Sequence, residues 1–349
     1  MSAVPTPAES TVLLGQERAL AVLTRALRQD RLPHAWLLTG PAGIGKATLA
    51  FRFARLLLAG EAEAERCHDP DHAVFRMVAR GAHPDLHVLR RELDRAGKRL
   101  KKEIVVDQLR AVIEALRSTA VLGGRRVLIV DAADDLNIEA ANAFLKLLEE
   151  PPRGVVLLLV CQRQGRVPAT IISRCARLRL RPLAQDAVEG LLARLRPEID
   201  PGARKLAAAA AEGSPGRAIK LSSTGWLEAY GTLVSTLADQ EPGLGATLAS
   251  TDLLAARARG QGVDEALGLL ASLVHRVART AAGRVPDHEL VPGEHERLRS
   301  MASALGLDRA LALWEKVWNF GDRIEAVNLD PWQTFLPLVQ AISSPRGQG

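Results

Sequence analysis

Short apolar runs and helical periodicities take turns along the first half of the chain. AWLLTG (35–40), DLHVL (85–89), RRVLIVDAAD (125–134), GVVLLLVC (154–161) and LRLRPL (178–183) read as strands. An apolar run without alternation marks a strand covered on both faces. Between these runs, residues 16–29 place Ala19, Val22, Leu23 and Leu27 at helical spacing, and GIGKATLAFRFARLLLAG (43–60) opens a helix out of a glycine loop. Residues 107–117 form a helical pattern with Asp107 near its positive end, and 137–150 another, stopped by Pro151 and Pro152. This order predicts an α/β unit with a mostly parallel sheet. Residues 60–104 read as irregular. The first ten residues, with two prolines and no periodicity, read as a disordered leader.

After Pro182 only helices follow. Residues 184–222 break at Pro197, Pro201 and GSPG (213–216), and the alanine- and leucine-rich remainder breaks near 240–245, 260–262 and 283–293. The pattern divides the chain at about 1–182, 183–224 and 225–349, and a length of 349 residues suits two or three domains.

Composition narrows the classes. The chain is 47% hydrophobic and 25% charged, as folded proteins are. A net charge of +6 permits contact with nucleic acid without requiring it, and 3% aromatics argue against a base-stacking platform. The longest apolar run, Val155 to Cys161, is far below the ~20 residues of a membrane span. The N-terminus has no signal-peptide pattern, and Cys67, Cys161 and Cys175 give no disulfide framework. These features predict a soluble cytoplasmic protein with no membrane partner.

GPAGIGKA, from Gly40 to Ala47, follows a strand and opens a helix. Such a loop lets backbone N–H groups curl round phosphate oxygens, the helix end adds positive potential, and a lysine reaches the outer phosphates. The candidate nucleotide contacts are Gly40, Pro41, Gly43, Gly45, Lys46, Ala47 and Thr48. The residue after the lysine is normally serine or threonine, whose hydroxyl binds Mg²⁺; here it is Ala47, and Thr48 lies about 100° round the helix. Water can take that ligand place, because Mg²⁺ keeps several waters.

VLIVDAAD (127–134) ends in Asp131, placed either as a metal partner or as a solvated strand-end acid. ATPases of this type carry a glutamate next, where this chain has Ala132. A general base contributes about 10²–10⁴ in rate. Asp134, three residues on, is expected on the loop. Both departures point to a site that holds nucleotide and hydrolyses it poorly.

LPHAWLLTGPAGIGKATLA, VLIVDAADDLNIEAANAFLKLLEEPP and VPATIISRC together resemble the bacterial clamp-loader branch of the AAA+ proteins. The resemblance runs from about 11 to 340 and is densest over 14–182. It implies an α/β P-loop AAA+ domain (1–182), a small helical lid (183–224) and an all-α collar for oligomerisation (225–349). It implies an open ring of such subunits, including gamma/tau and delta types, that opens the sliding clamp and closes it round primed DNA. Each ATP lies between neighbours, and the neighbour's arginine maps onto Arg174 of SRC. A guanidinium placed there contributes about 10³–10⁵ in rate; the competing reading of Arg174 is a structural helix cap. Arg217 resembles the lid's sensor arginine, or else is a solvated helix-start residue. Gly15 and Gln16 resemble the segment near the adenine, and Cys161 and Gln162 stand where relatives have a threonine or asparagine sensor pair. The resemblance favours the subunit type with a degenerate ATPase site and no polymerase activity of its own. The rival is an active gamma-type ATPase. A P-loop kinase or other transferase is a third reading, which the helical last third disfavours.

Weaker signals remain. Cys67, His68, Asp69, His72 and His83 resemble a vestige of the zinc module of the ATPase subunits more than a zinc site, which needs short paired spacings. The basic run 90–102 is interleaved with Glu92 and Asp94, as a solvated face is. Trp226, Trp314, Trp318 and Trp332 read as core or subunit interface, Trp314 and Trp318 sharing one helix face.

Overall fold

The computed structural model describes residues 4–93, 100–122, 124–222, 225–238, 244–324 and 330–343; the side chains of 261, 264 and 318–324 lie outside that description. The chain divides into two compact units, Met1–Ile219 and Lys220–Gly349.

In the first unit five parallel strands, β1 (Ala35–Thr39), β2 (Leu86–Leu89), β3 (Arg126–Asp131), β4 (Val155–Cys161) and β5 (Ala176–Arg179), lie in the order β2-β3-β4-β1-β5. The pleat sends neighbours to opposite faces. Trp36, Leu38, Ile129 and Leu158 enter one apolar core with Leu23 of α1 (Glu17–Arg28) and Leu49 and Phe53 of α2 (Lys46–Ala59). Leu37, Leu128 and Leu157 enter the other with Leu109 of α4 (Val106–Arg117) and Phe144 of α5 (Ile138–Glu149). Each such buried side chain contributes roughly 1.5–3 kcal/mol. The expected α/β architecture with a parallel sheet is the one found.

The first ten residues are not a loose leader where they are described. The Arg55 guanidinium, fully buried in α2, donates to the carbonyls of Ala8 (2.9 Å) and Ser10 (2.8 Å), so a buried cation fastens this segment. Burial lowers the Arg55 pKa to about 10, and its guanidinium lies 4.6 Å from the Phe75 ring centroid. The stretch 60–104 is not wholly irregular: it holds α3 (Ala73–Ala79), capped by His72, whose Nδ1 accepts from Val74 N. The strand expected at 178–183 lies earlier, at 176–179. Part of the basic run, 94–99, lies outside the described residues, while Lys101 and Arg91 pair with Glu92 (2.9 Å) and Asp135 (3.2 Å).

α6 (Ala169–Ile172) links β4 to β5, and α7 (Gln185–Leu195) and α8 (Pro201–Ala210) follow the sheet; α9 (Pro215–Leu221) begins in this unit and crosses its boundary.

The second unit is helical: α10 (Trp226–Leu237), α11 (Leu244–Gln261), α12 (Val263–Ala281), α13 (Glu294–Leu305), α14 (Leu307–Ile324) and α15 (Pro331–Ser343). Its core holds a charged knot. Glu294, fully buried, accepts from Tyr230 Oη (2.7 Å), Arg276 Nε (2.7 Å), Arg276 Nη2 (2.9 Å) and Leu290 N (2.6 Å). Trp226 stacks on Tyr230 at 4.9 Å, and Trp332 Nε1 donates to Asp252 (2.9 Å). The predicted face shared by Trp314 and Trp318 involves a side chain outside the described residues. No described helix is long and apolar enough to cross a membrane.

Candidate phosphate-loop site

The loop between β1 and α2 turns on left-handed glycines, Gly43 at φ +74° and Gly45 at φ +97°. A Cβ on Gly43 would stand 2.6 Å from Ser214 Oγ, so glycine is required by space as well as by φ. Every carbonyl from residue 40 to 44 has a protein donor. Lys46 Nζ, on a buried residue, donates to Gly40 O (2.8 Å) and Pro41 O (2.7 Å). Ser214 Oγ donates to Ala42 O (2.9 Å), Gly216 N to Gly43 O (2.9 Å), and Gln16 Nε2 to Ile44 O (3.2 Å). The backbone N–H groups of Ala42 through Lys46 have no acceptor among the described residues. A ring of bonded carbonyls with spare N–H groups is a loop prepared for an anion.

The elements converging here are the ones the sequence singled out, in partly different roles. Gln16 is buried and also donates to Arg181 O (3.0 Å), so its amide ties the loop to the end of the sheet. Gly15, at φ +75°, packs against Leu183. Arg217 N donates to Ser214 Oγ (3.2 Å), while its guanidinium meets Glu212 at 3.4 Å. Ser214 and Gly216, not singled out from the sequence, are the residues of the GSPG break that touch the loop.

Burial lowers the Lys46 pKa, and the negative fields of Asp134 and Asp131 oppose the shift. Burial raises the Asp131 pKa, and Lys46 opposes that. Asp134 lies on the segment between β3 and α5, as expected, but not in solvent. It is buried, and its carboxylate accepts from Gln162 N (2.9 Å) and Arg163 N (3.2 Å), with Arg163 Nε at 3.6 Å. Asp134 lies in the short turn Ala133–Asp135, and its carboxylate links the segment after β3 to the backbone just past β4. Cys161, pushed up to about 12 chiefly by burial, stays a neutral thiol. Ala47 and Ala132 add only methyl groups, and Thr48 follows within α2.

Arg174 stands apart from this loop chemistry. It ends the α6 turn half-exposed, donating from Nη2 to Glu149 (2.7 Å) at the end of α5 and from Nη1 to Thr170 O (3.1 Å). The SRC and LLEE motifs therefore meet, a pairing that their spacing in the chain conceals. Among the described residues no three His, Cys, Asp or Glu side chains are grouped so that they could hold a metal ion. Cys67 approaches His68 (3.5 Å), while His83 Nδ1 accepts from Asp85 N (3.2 Å).

Comparison with known proteins sharpens the picture. Residues 15–184 match the family model described as DNA polymerase III, delta subunit. A DNA polymerase III subunit delta' from Pseudomonas aeruginosa is 43% identical over 143 residues, 41% of each chain. The Bacillus subtilis subunit delta' is 33% identical over 177 residues, 51% of each chain. The Escherichia coli subunit tau is 32% identical over 215 residues, 60% of this chain and 32% of tau. The aligned part thus spans about half or less of the length of these relatives. The likeness to the family described as DNA polymerase III, delta subunit, is carried by residues 15–184 of this chain.

Proposed function

We propose that this chain is a delta-prime-like subunit of the DNA polymerase III clamp loader, a cytoplasmic assembly that places the sliding clamp on primed DNA. The observation that carries the reading is the match of residues 15–184 joined to alanine at position 47 of the phosphate loop and at position 132 after β3. Its partners in this reading are gamma/tau- and delta-type subunits. The first 182 residues serve as the nucleotide-binding-like domain, 183–224 as a lid and 225–349 as the collar. Its own loop grips phosphates through Gly40–Lys46 and turns them over weakly or not at all, Asp131 being the one acid left as a metal partner. Gln16 and Arg217 border that grip, and zinc has no part in it.

Arg174 acts on a neighbour's ATP. Its half-exposed guanidinium and its anchoring by Glu149 support this role. A planar cation held by one carboxylate keeps donors for a second anion. The experiment is a loader reconstituted with Arg174→Ala. DNA-stimulated hydrolysis at the neighbouring site should fall by about 10³-fold with assembly intact; unchanged hydrolysis rejects the role.

A further inference from the structure

The metal half of the phosphate-loop chemistry does not fit these residues, while the phosphate half does. In P-loop proteins the metal is held by the hydroxyl after the lysine and by the strand-end aspartate. Here residue 47 is alanine, and Thr48 is turned about 100° away. Residue 132 is alanine as well. Asp134 is the next acid along, but two backbone N–H groups, from Gln162 (2.9 Å) and Arg163 (3.2 Å), already take its oxygens. That leaves Asp131, and Mg²⁺ demands a nearly octahedral set of oxygens. The phosphate donors, by contrast, are complete. The N–H groups of Ala42 through Lys46 lack protein acceptors among the described residues, and the five carbonyls that could repel an anion are each bonded elsewhere. The first turn of α2 carries no acid.

We infer that this loop binds the phosphates of a nucleoside di- or triphosphate as a metal-free anion, held by backbone N–H groups and Lys46, with no gain from Mg²⁺. The inference deepens the proposed phosphate grip and is independent of the clamp-loader assignment. Lys46 exchanges the Gly40 and Pro41 carbonyls for phosphate oxygens. Nothing in the grip needs a hydroxyl at position 47.

The test is a titration of the full chain with ADP bearing a methylanthraniloyl fluorophore on the ribose, in excess MgCl₂ and in excess EDTA. Equal affinity in both, and displacement by inorganic diphosphate, are the expected results. Lys46→Gln should weaken binding by at least about tenfold in both buffers, because charge-assisted hydrogen bonds are lost. Ala47→Thr, which supplies the missing hydroxyl and disturbs little, should make binding weaker in EDTA than in MgCl₂. Binding of the natural chain that is about tenfold weaker in EDTA, or no binding in either buffer, overturns the inference. An Ala47→Thr protein still indifferent to EDTA overturns the assignment of the lost metal ligand to that position. Assembly with gamma/tau- and delta-type subunits, followed by gel filtration, is read separately, so failure of the grip and failure of the clamp-loader reading are told apart.

Discussion

The phosphate loop and the charged knot around Glu294 both bury charge, and they do so in opposite ways. At Glu294 the carboxylate has donors on both oxygens from Tyr230, Arg276 and Leu290. Nothing there awaits a ligand. At the loop, Lys46 rests on carbonyls of its own turn, and a row of N–H groups has no acceptor among the described residues. Ala42 and Gly43 of that row are exposed, so its spare donors are open to water or to an anion. A closed network is architecture, whereas an open one is a site.

The largest expected effect is at the closed network. Glu294→Ala strands the Arg276 cation in the core of the second unit and should cost about 3–5 kcal/mol, read as a fall in the denaturant midpoint. A loss below about 1 kcal/mol would equate this knot with a surface pair. Next comes Asp134→Ala, which frees two part-buried backbone N–H groups and removes the strongest field supporting Lys46. It should cost about 1–3 kcal/mol and lower the Lys46 pKa further, measurable by NMR titration of the lysine. A rise in that pKa would break the proposed link.

The smallest effect is in pH. Burial places the folded Lys46 pKa below its ordinary value, and a bound phosphate stabilises the charged form and raises it again. Binding therefore takes up a proton between those two values. Affinity is full below the lower one and falls as pH rises through it. Calorimetry in buffers of different ionisation enthalpy should detect uptake; proton release would contradict the account.

Much of the frame was legible in the chain. Fully apolar runs specify buried strands, and β1, β3 and β4 fall where those runs lie. β5 was harder because Arg177 and Arg179 alternate with Ala176 and Leu178, as an edge strand allows. The loop was legible because its chemistry is local in sequence. What stayed hidden depends on distant partners. Ser214 reaches Ala42, and Arg174 reaches Glu149, across separations that no periodicity reports. The N-terminal segment misled for the same reason, since its order comes from Arg55 in a helix far along the chain. The partners of Asp134 stayed hidden for the same reason, since its carboxylate takes backbone N–H groups of Gln162 and Arg163, 28 and 29 residues on.

The central claim is that this chain grips phosphates without turning them over. Steady-state release of phosphate from Mg²⁺–ATP by the purified chain tests it most directly, with Lys46→Gln as the background. The account predicts that the two proteins are indistinguishable. Turnover by the natural chain that vanishes in Lys46→Gln would contradict it and restore the gamma-type ATPase reading.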